Sequence, residues 1–353
     1  MSNALEEALK QATQKLEASV EKNPFAQDLD FRQFQTNEDK VLDYPNKPNR
    51  ETKYAVLIDA NSFAFKYYFW SPQKFNWAFK EENINMVELM LFKIFWYLRA
   101  KPDYLFVVWE WRWTYRKDLL SSYKAHRKEK EENFKWQCKL LHNTLTNIGI
   151  PSIFFDWYEA DDTIKSLAEQ LQEKDHNIIS YVHTMDKDYF QFASDKVHIV
   201  RGKEDVINAE KFKEKFWFEN KHFIKYLACI WDKADNIPNM LAGLWEKRID
   251  NLFKAWYYGL DDFLEHEEEI LANKLLTPRI MNLLKDENVR RQYLLNQKLI
   301  TLQTFPKTLN EIEKPLFDRP EMLEKFHYQN VTKVVVQAMQ LEQLLPIIDN
   351  IFS

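Results

Sequence analysis

Glycine is nearly missing from this sequence. It occurs 4 times in 353 residues, where usage of about 7% would supply roughly 25. Turns that need positive φ usually take glycine, so the deficit calls for an account. Cysteine is also scarce: Cys138 and Cys229 lie in stretches patterned as helix. Two such residues exclude a disulfide framework and are expected of a reduced, cytoplasmic protein. No apolar run approaches the ~18 residues needed to span a bilayer. The N-terminal stretch MSNALEEALKQATQKLEASVEK has no signal-peptide apolar core, so no membrane association is expected. The 8 histidines show no zinc spacing. An excess of basic charge is missing too: 49 basic residues face 54 acidic ones, for a net charge of −5. No global field points to nucleic acid, so any DNA-binding face must be local.

What is present is the composition of a folded protein, 45% apolar and 29% charged. Residues 1–52 read as an N-terminal helix, from Leu5 to Glu21, and a polar linker with Pro24, Pro45 and Pro48. From 53 to 208 strands and helices alternate. YAVLI (54–58), YLFVVW (104–109), PSIFF (151–155), IISYVH (178–183) and KVHIV (196–200) are strand-like. Residues 84–100, 134–149 and 159–174 are helical, with Gly149 as a C-terminal cap. This order predicts an α/β fold with a mainly parallel central sheet flanked by helices. Residues 209–300 read as helical, with a helix–turn–helix over 239–258, and 301–353 as a helical extension.

Acidic residues fall where strands end. Asp59 and Glu110 directly follow strands; Asp186 and Asp188 follow IISYVH; Glu159, Asp161 and Asp162 open the helix after PSIFF. In a parallel sheet the strand C-termini share one edge, and the crevice beyond it is the usual site. Asp232 and Asp235, at i and i+3, would point the same way on a helical turn. Convergent carboxylates repel unless cations lie between them. Hard divalent ions prefer such oxygen ligands, and two of them about 4 Å apart can assist phosphodiester hydrolysis. Taken singly, each cluster also has a bland reading: EADD suits a helix N-terminus, and an Asp after a strand often caps a turn. Four clusters at one edge favour metal chemistry.

Residues 112–130 carry seven Lys or Arg against two acids, with Tyr115 and Tyr123 interleaved. The segment leaves the second strand beside Glu110, where cations could meet phosphates and tyrosines could stack on bases. A solvated charged helix is the alternative.

The stretches VLIDANSFAF, YRKDLLSSYKAHR, YEADD, TMDKDYFQF, WDKADNIP and GLWEK, in this order, resemble the 5′-nuclease family, which has a PIN-like fold. The resemblance runs from about 54 to 300. It implies a metal-dependent structure-specific 5′ nuclease, a 5′→3′ exonuclease or flap endonuclease. Such an enzyme cuts DNA at 5′ single-strand/duplex junctions in primer removal and repair. The first metal cluster it implies is Asp59, Glu110, Glu159 and Asp161, with Asp162 beside it; the second is Asp186, Asp188, Asp232 and Asp235. It implies two Mg²⁺ or Mn²⁺ ions and K⁺ at a helix–hairpin–helix over about 237–254, where Gly243 and Lys247 would contact DNA. Residues 111–135 resemble the family's arch, with Arg116, Tyr123, Lys124 and Arg127 as DNA contacts. Lys124 and Arg116 would also offset charge during catalysis. The implied partner is DNA with a 5′ flap or nick, and RNA primers; no protein partner is expected. Two other readings are a junction-binding protein that does not cut and a PIN-type ribonuclease.

The chain departs from the family pattern in two ways. Glu110 stands where the family usually has Asp. Trp157, Trp217, Trp231 and Trp245 stand where it has glycine. With the glycine deficit, this suggests the hypothesis that the source organism reads UGA as glycine, and that many of the 12 tryptophans are glycine in the native protein.

Overall fold

The computed structural model describes residues 53–305 except 71–77, 80–81, 111–113, 128 and 203–204, together with isolated residues between 332 and 348. The expected N-terminal helix and linker lie outside the described residues, as does most of the expected C-terminal extension.

The chain opens with β1 (Lys53–Asp59) and α1 (Ala60–Trp70), a small hairpin of β2 (Ala78–Phe79) and β3 (Glu82–Asn83), then α2 (Asn85–Arg99) and β4 (Tyr104–Val108). Next come α3 (Arg116–Leu119), α4 (Glu132–Asn147), β5 (Ser152–Ile153), α5 (Ala160–Lys174) and β6 (Ile178–His183). A 3₁₀ turn over Asp188–Phe192 leads to β7 (Val197–Val200) and β8 (Val206–Ile207). After it the described chain is helical: α6 (Ala209–Phe216), α7 (Phe223–Cys229), α8 (Glu246–Lys254), α9 (Leu260–Glu265), α10 (Glu267–Ala272), α11 (Pro278–Leu284) and α12 (Glu287–Ile300).

Six strands form one sheet in the order β5-β4-β1-β6-β7-β8. All neighbours pair in parallel except β7 with β8. β1 lies at its centre, apolar on both faces because successive side chains alternate. Ala55 and Leu57 enter a core shared with α5, the 3₁₀ turn and the later helices. Val56 and Ile58 enter a second core with α1, α2 and α4. The sheet therefore carries its helices in two layers, as the strand–helix alternation predicts.

Three local expectations change. PSIFF supplies only the two-residue edge strand β5, and Phe154 is exposed. The WDKAD segment is a turn, not a helix: Asp232 and Ile237 exchange backbone hydrogen bonds at 2.9 Å each, and Pro238 follows. Within 239–258 the structure has one helix, α8, preceded by a turn at Gly243 (φ 83°); the helix before it ends at Cys229.

Among the described residues three tryptophans hold left-handed backbone: Trp157 (φ 76°), Trp217 (φ 70°) and Trp256 (φ 71°). Each is more than half exposed. Trp217 ends α6, in the position where helices favour glycine. Trp245 precedes α8 at φ −80°, so no backbone strain attaches to it, and Trp231 likewise lacks a positive φ.

Candidate active site

The carboxyl edge of the sheet gathers the acids. Asp59 ends β1, Glu110 follows β4 and Asp186 follows β6, and these three strands are neighbours. Glu159 caps α5 in a reciprocal capping box with Asp162. Asp59 Oδ1 accepts the Ser62 N–H at 3.1 Å, and Oδ2 accepts the Thr184 hydroxyl at 2.9 Å. Burial, with repulsion from Asp186 and Glu110, outweighs these bonds and pushes the Asp59 pKa up to about 6.

Lys124 joins the first cluster to Asp235 of the second. Its Nζ lies 2.8 Å from Glu159 Oε1, 3.8 Å from Asp235 Oδ2 and 3.9 Å from Glu110 Oε2. Its backbone N–H donates to the Asp235 carbonyl at 3.0 Å. Burial works against the ammonium, but Glu110, Glu159 and Asp235 outweigh it and hold Lys124 above the ordinary lysine range. Burial also works to raise Glu110, yet Lys124, Lys130 and Arg127 hold that carboxyl below its ordinary value. At Glu159 burial dominates and the pKa is raised. Asp161 is raised as well, by burial and then by Asp162.

The second group adjoins it. Asp186 N–H donates to Thr184 Oγ1 and Asp188 N–H to Asp186 Oδ1, each at 3.0 Å. Burial comes first in raising both carboxyls; Asp235 and Asp232 add repulsion at each, and Asp186 adds to it at Asp188. Lys187 Nζ lies 3.7 Å from Asp232 Oδ2. Asp232 Oδ1 accepts the N–H groups of Ala234 and Asp235 at 2.8 and 3.2 Å. Asp188 Oδ1 is buried with no hydrogen-bond partner among the described residues.

This donor set suits hard divalent cations: it is all carboxylate oxygen, with several members held above their usual pKa by burial and mutual repulsion. Among the described residues no three acidic, His or Cys side chains stand in a ready-made chelating arrangement; the Lys124 ammonium lies between Glu110, Glu159 and Asp235.

Three expected site residues take other positions. Arg116 is buried beneath the cleft. Its guanidinium donates to both Asp162 oxygens at 2.6 and 2.9 Å, to Glu159 at 3.2 Å, and to the carbonyls of Leu299 and Thr301. That uses its fork of donors, so Arg116 is a strut between the sheet domain and α12 and not a phosphate contact. Asp162 also accepts the N–H groups of Gln303 and Glu159, which leaves it a structural partner and not a metal ligand. Tyr123 is buried, its hydroxyl 3.0 Å from Glu159 and 2.8 Å from Asp235. It offers no stacking face, and its one proton serves one carboxylate at a time.

Arg127 is half-exposed and pairs with Asp235. Gly243 and Lys247 are exposed, in the turn before α8 and in its first turn. Asn61, Ser62 and Thr184 escape a reading based on charge. Their signal is adjacency: two follow Asp59 within three residues and one precedes Asp186 by two.

Comparison with known proteins gives a consistent picture. The family model described as "5'-3' exonuclease, N-terminal resolvase-like domain" matches residues 54–217. A 5'-3' exonuclease of Aquifex aeolicus is 28% identical over 303 residues, covering 85% of this chain and 96% of that protein. One of Mycoplasmopsis pulmonis is 26% identical, covering 85% and 99%. The DNA polymerase I of Caldicellulosiruptor bescii is 31% identical over 229 residues, which span 62% of this chain and only 26% of the polymerase. Among solved structures, the T5 D15 protein co-crystallised with metal ions superposes with a TM-score of 0.52 at 18% identity, covering 81% of this chain and all of that one. That last likeness concerns the fold.

Proposed function

The chain belongs to the 5′-nuclease family, and from that premise we propose that it cuts DNA at the junction of a 5′ single strand with duplex, using two Mg²⁺ or Mn²⁺ ions. The relatives that match it over nearly their whole length are 5'-3' exonucleases, which supports a 5′ nuclease. The observation that carries the site is the convergence of Glu110, Glu159 and Asp235 on Lys124, with Asp186, Asp188 and Asp232 adjoining.

Asp59, Glu110, Glu159 and Asp161 would hold one ion, and Asp186, Asp188, Asp232 and Asp235 the other. Ions bound there supply Lewis-acid activation of water and neutralise charge at the phosphodiester. The chain's own residues do the rest. Lys124 stays protonated, because the surrounding carboxylates favour its charge, and its ammonium meets the scissile phosphate as a point charge. Arg127 and Lys187, both partly exposed, neutralise flanking phosphates. Arg116 and Asp162 fix the start of α5 and so the placement of Glu159 and Asp161. On the helical side, Gly243 and Lys247 grip duplex backbone, with K⁺ assisting. Contacts to phosphate oxygens alone do not touch the 2′ position, so an RNA primer whose backbone follows the same path would also be a substrate.

A labelled 5′-flap DNA incubated with Mg²⁺, and in parallel with EDTA, tests the reading. Junction cleavage only with Mg²⁺ supports it; an intact flap in both, with tight binding, leaves a junction binder instead.

A further inference from the structure

The β1–β4 ladder ends at the pair Asp59 and Val108, because β1 gives way to α1 at Ala60. Glu110 lies beyond that last rung. Its backbone is nonetheless held on the β1 side: the Glu110 N–H donates to Asn61 Oδ1 at 2.8 Å, and Asn61 Nδ2 donates to the Glu110 carbonyl at 3.0 Å. A carboxamide carries one acceptor and two donors on one planar group, as a peptide unit presents one of each. Asn61 therefore supplies one more rung to the ladder from a side chain, after the main chain has turned away. The same helical turn reaches the other neighbour of β1: Ser62 Oγ accepts the Met185 N–H at 2.8 Å, and the Ser62 N–H donates to Asp59.

From this geometry we propose that Asn61 is a positioning residue for the carboxylate of Glu110, setting where that side chain enters the divalent-ion site. The inference rests on the nuclease reading of the site. Glu110 carries one methylene more than the aspartate that the family usually has at this position. A longer arm magnifies any backbone displacement at its tip, so its backbone anchor matters more. Aspartate at position 61 would keep the acceptor and lose the donor. Leucine keeps the shape and loses both bonds. Groups that orient a ligand are commonly worth about 10- to 100-fold in metal affinity.

The test is Mn²⁺ binding by isothermal titration in the absence of DNA, on the full chain, for wild type, Asn61→Leu, Glu110→Gln and the double variant. Asn61→Leu is expected to weaken Mn²⁺ binding by about 10-fold or more. In the Glu110→Gln background the same change is expected to do nothing further, because the group it positions is gone. Thermal unfolding in EDTA checks that each variant folds, and Asn61→Ser replaces Asn61→Leu if it does not. Wild-type affinity in Asn61→Leu, or additive losses in the double variant, overturns the positioning role while the site stands. Unchanged affinity in Glu110→Gln overturns the site reading, and this inference falls with it.

Discussion

The tryptophans at positive φ yield a prediction whose sign runs against expectation. Removing a tryptophan normally destabilises a protein. At Trp157, with φ 76°, the left-handed backbone costs a residue with a Cβ about 1–2 kcal/mol. Glycine relieves that cost but gives back ~0.4–1 kcal/mol through the freedom it gains in the unfolded chain. The ring is more than half exposed, so lost packing is the smaller term. Trp157→Gly should therefore raise stability by about 0.5 kcal/mol. Trp256→Gly should behave alike, whereas at Trp217 relief is offset by Lys254, whose Nζ lies 5.6 Å from the ring centroid. The control is Trp136→Gly within α4, at a residue without positive φ, which should cost about 1 kcal/mol or more. Urea unfolding of the three single variants reads the difference. If Trp157→Gly and Trp256→Gly lose as much as Trp136→Gly, the strain argument fails. The glycine hypothesis has its own test: a native peptide covering 217–235 should have the mass of glycine at 217 and 231, and intact tryptophan at both refutes it.

Other outcomes follow from the site. Asp186→Ala should lower flap cleavage by about 100-fold or more while leaving flap binding in EDTA unchanged; wild-type cleavage would remove Asp186 from the site. Arg116→Met should destabilise by about 3–5 kcal/mol, because it strands the buried Asp162 carboxylate; a stability change below 1 kcal/mol in urea would refute the strut. Asp59 binds its proton more tightly folded than unfolded, since its pKa is raised from 3.8 to about 6. Its contribution is thus full below about pH 4 and is lost as pH rises through about 6. Glu159, Asp161, Asp186 and Asp188 shift in the same direction. Thermal midpoints in EDTA should fall across that window, less steeply in Asp59→Asn. Mg²⁺ at pH 7 should restore the loss by binding the folded state.

Much of the fold was legible because its central strands are apolar on both faces and sharply bounded: β1, β4 and β6 stand where their runs predict. The edge was less legible. β5 pairs only with Val107 and Val108 of β4, so its apolar residues continue past the strand into exposed chain. The acids at the strand ends were visible because topology alone sends them to one place. Arg116 and Tyr123 were misread for one reason. Sequence shows that a residue is charged or aromatic, while its burial depends on partners 36 to 185 positions away. Asn61 was passed over because its role lies in hydrogen bonds to a backbone 49 positions distant.

The central claim is that acids scattered along the chain hold paired divalent ions. Anomalous diffraction from crystals grown with Mn²⁺ tests it most directly. Two peaks are expected, one among Asp59, Glu110, Glu159 and Asp161 and one among Asp186, Asp188, Asp232 and Asp235, with Lys124 moved from between its carboxylates. Manganese bound only elsewhere on the protein, with these side chains unchanged, would contradict the account.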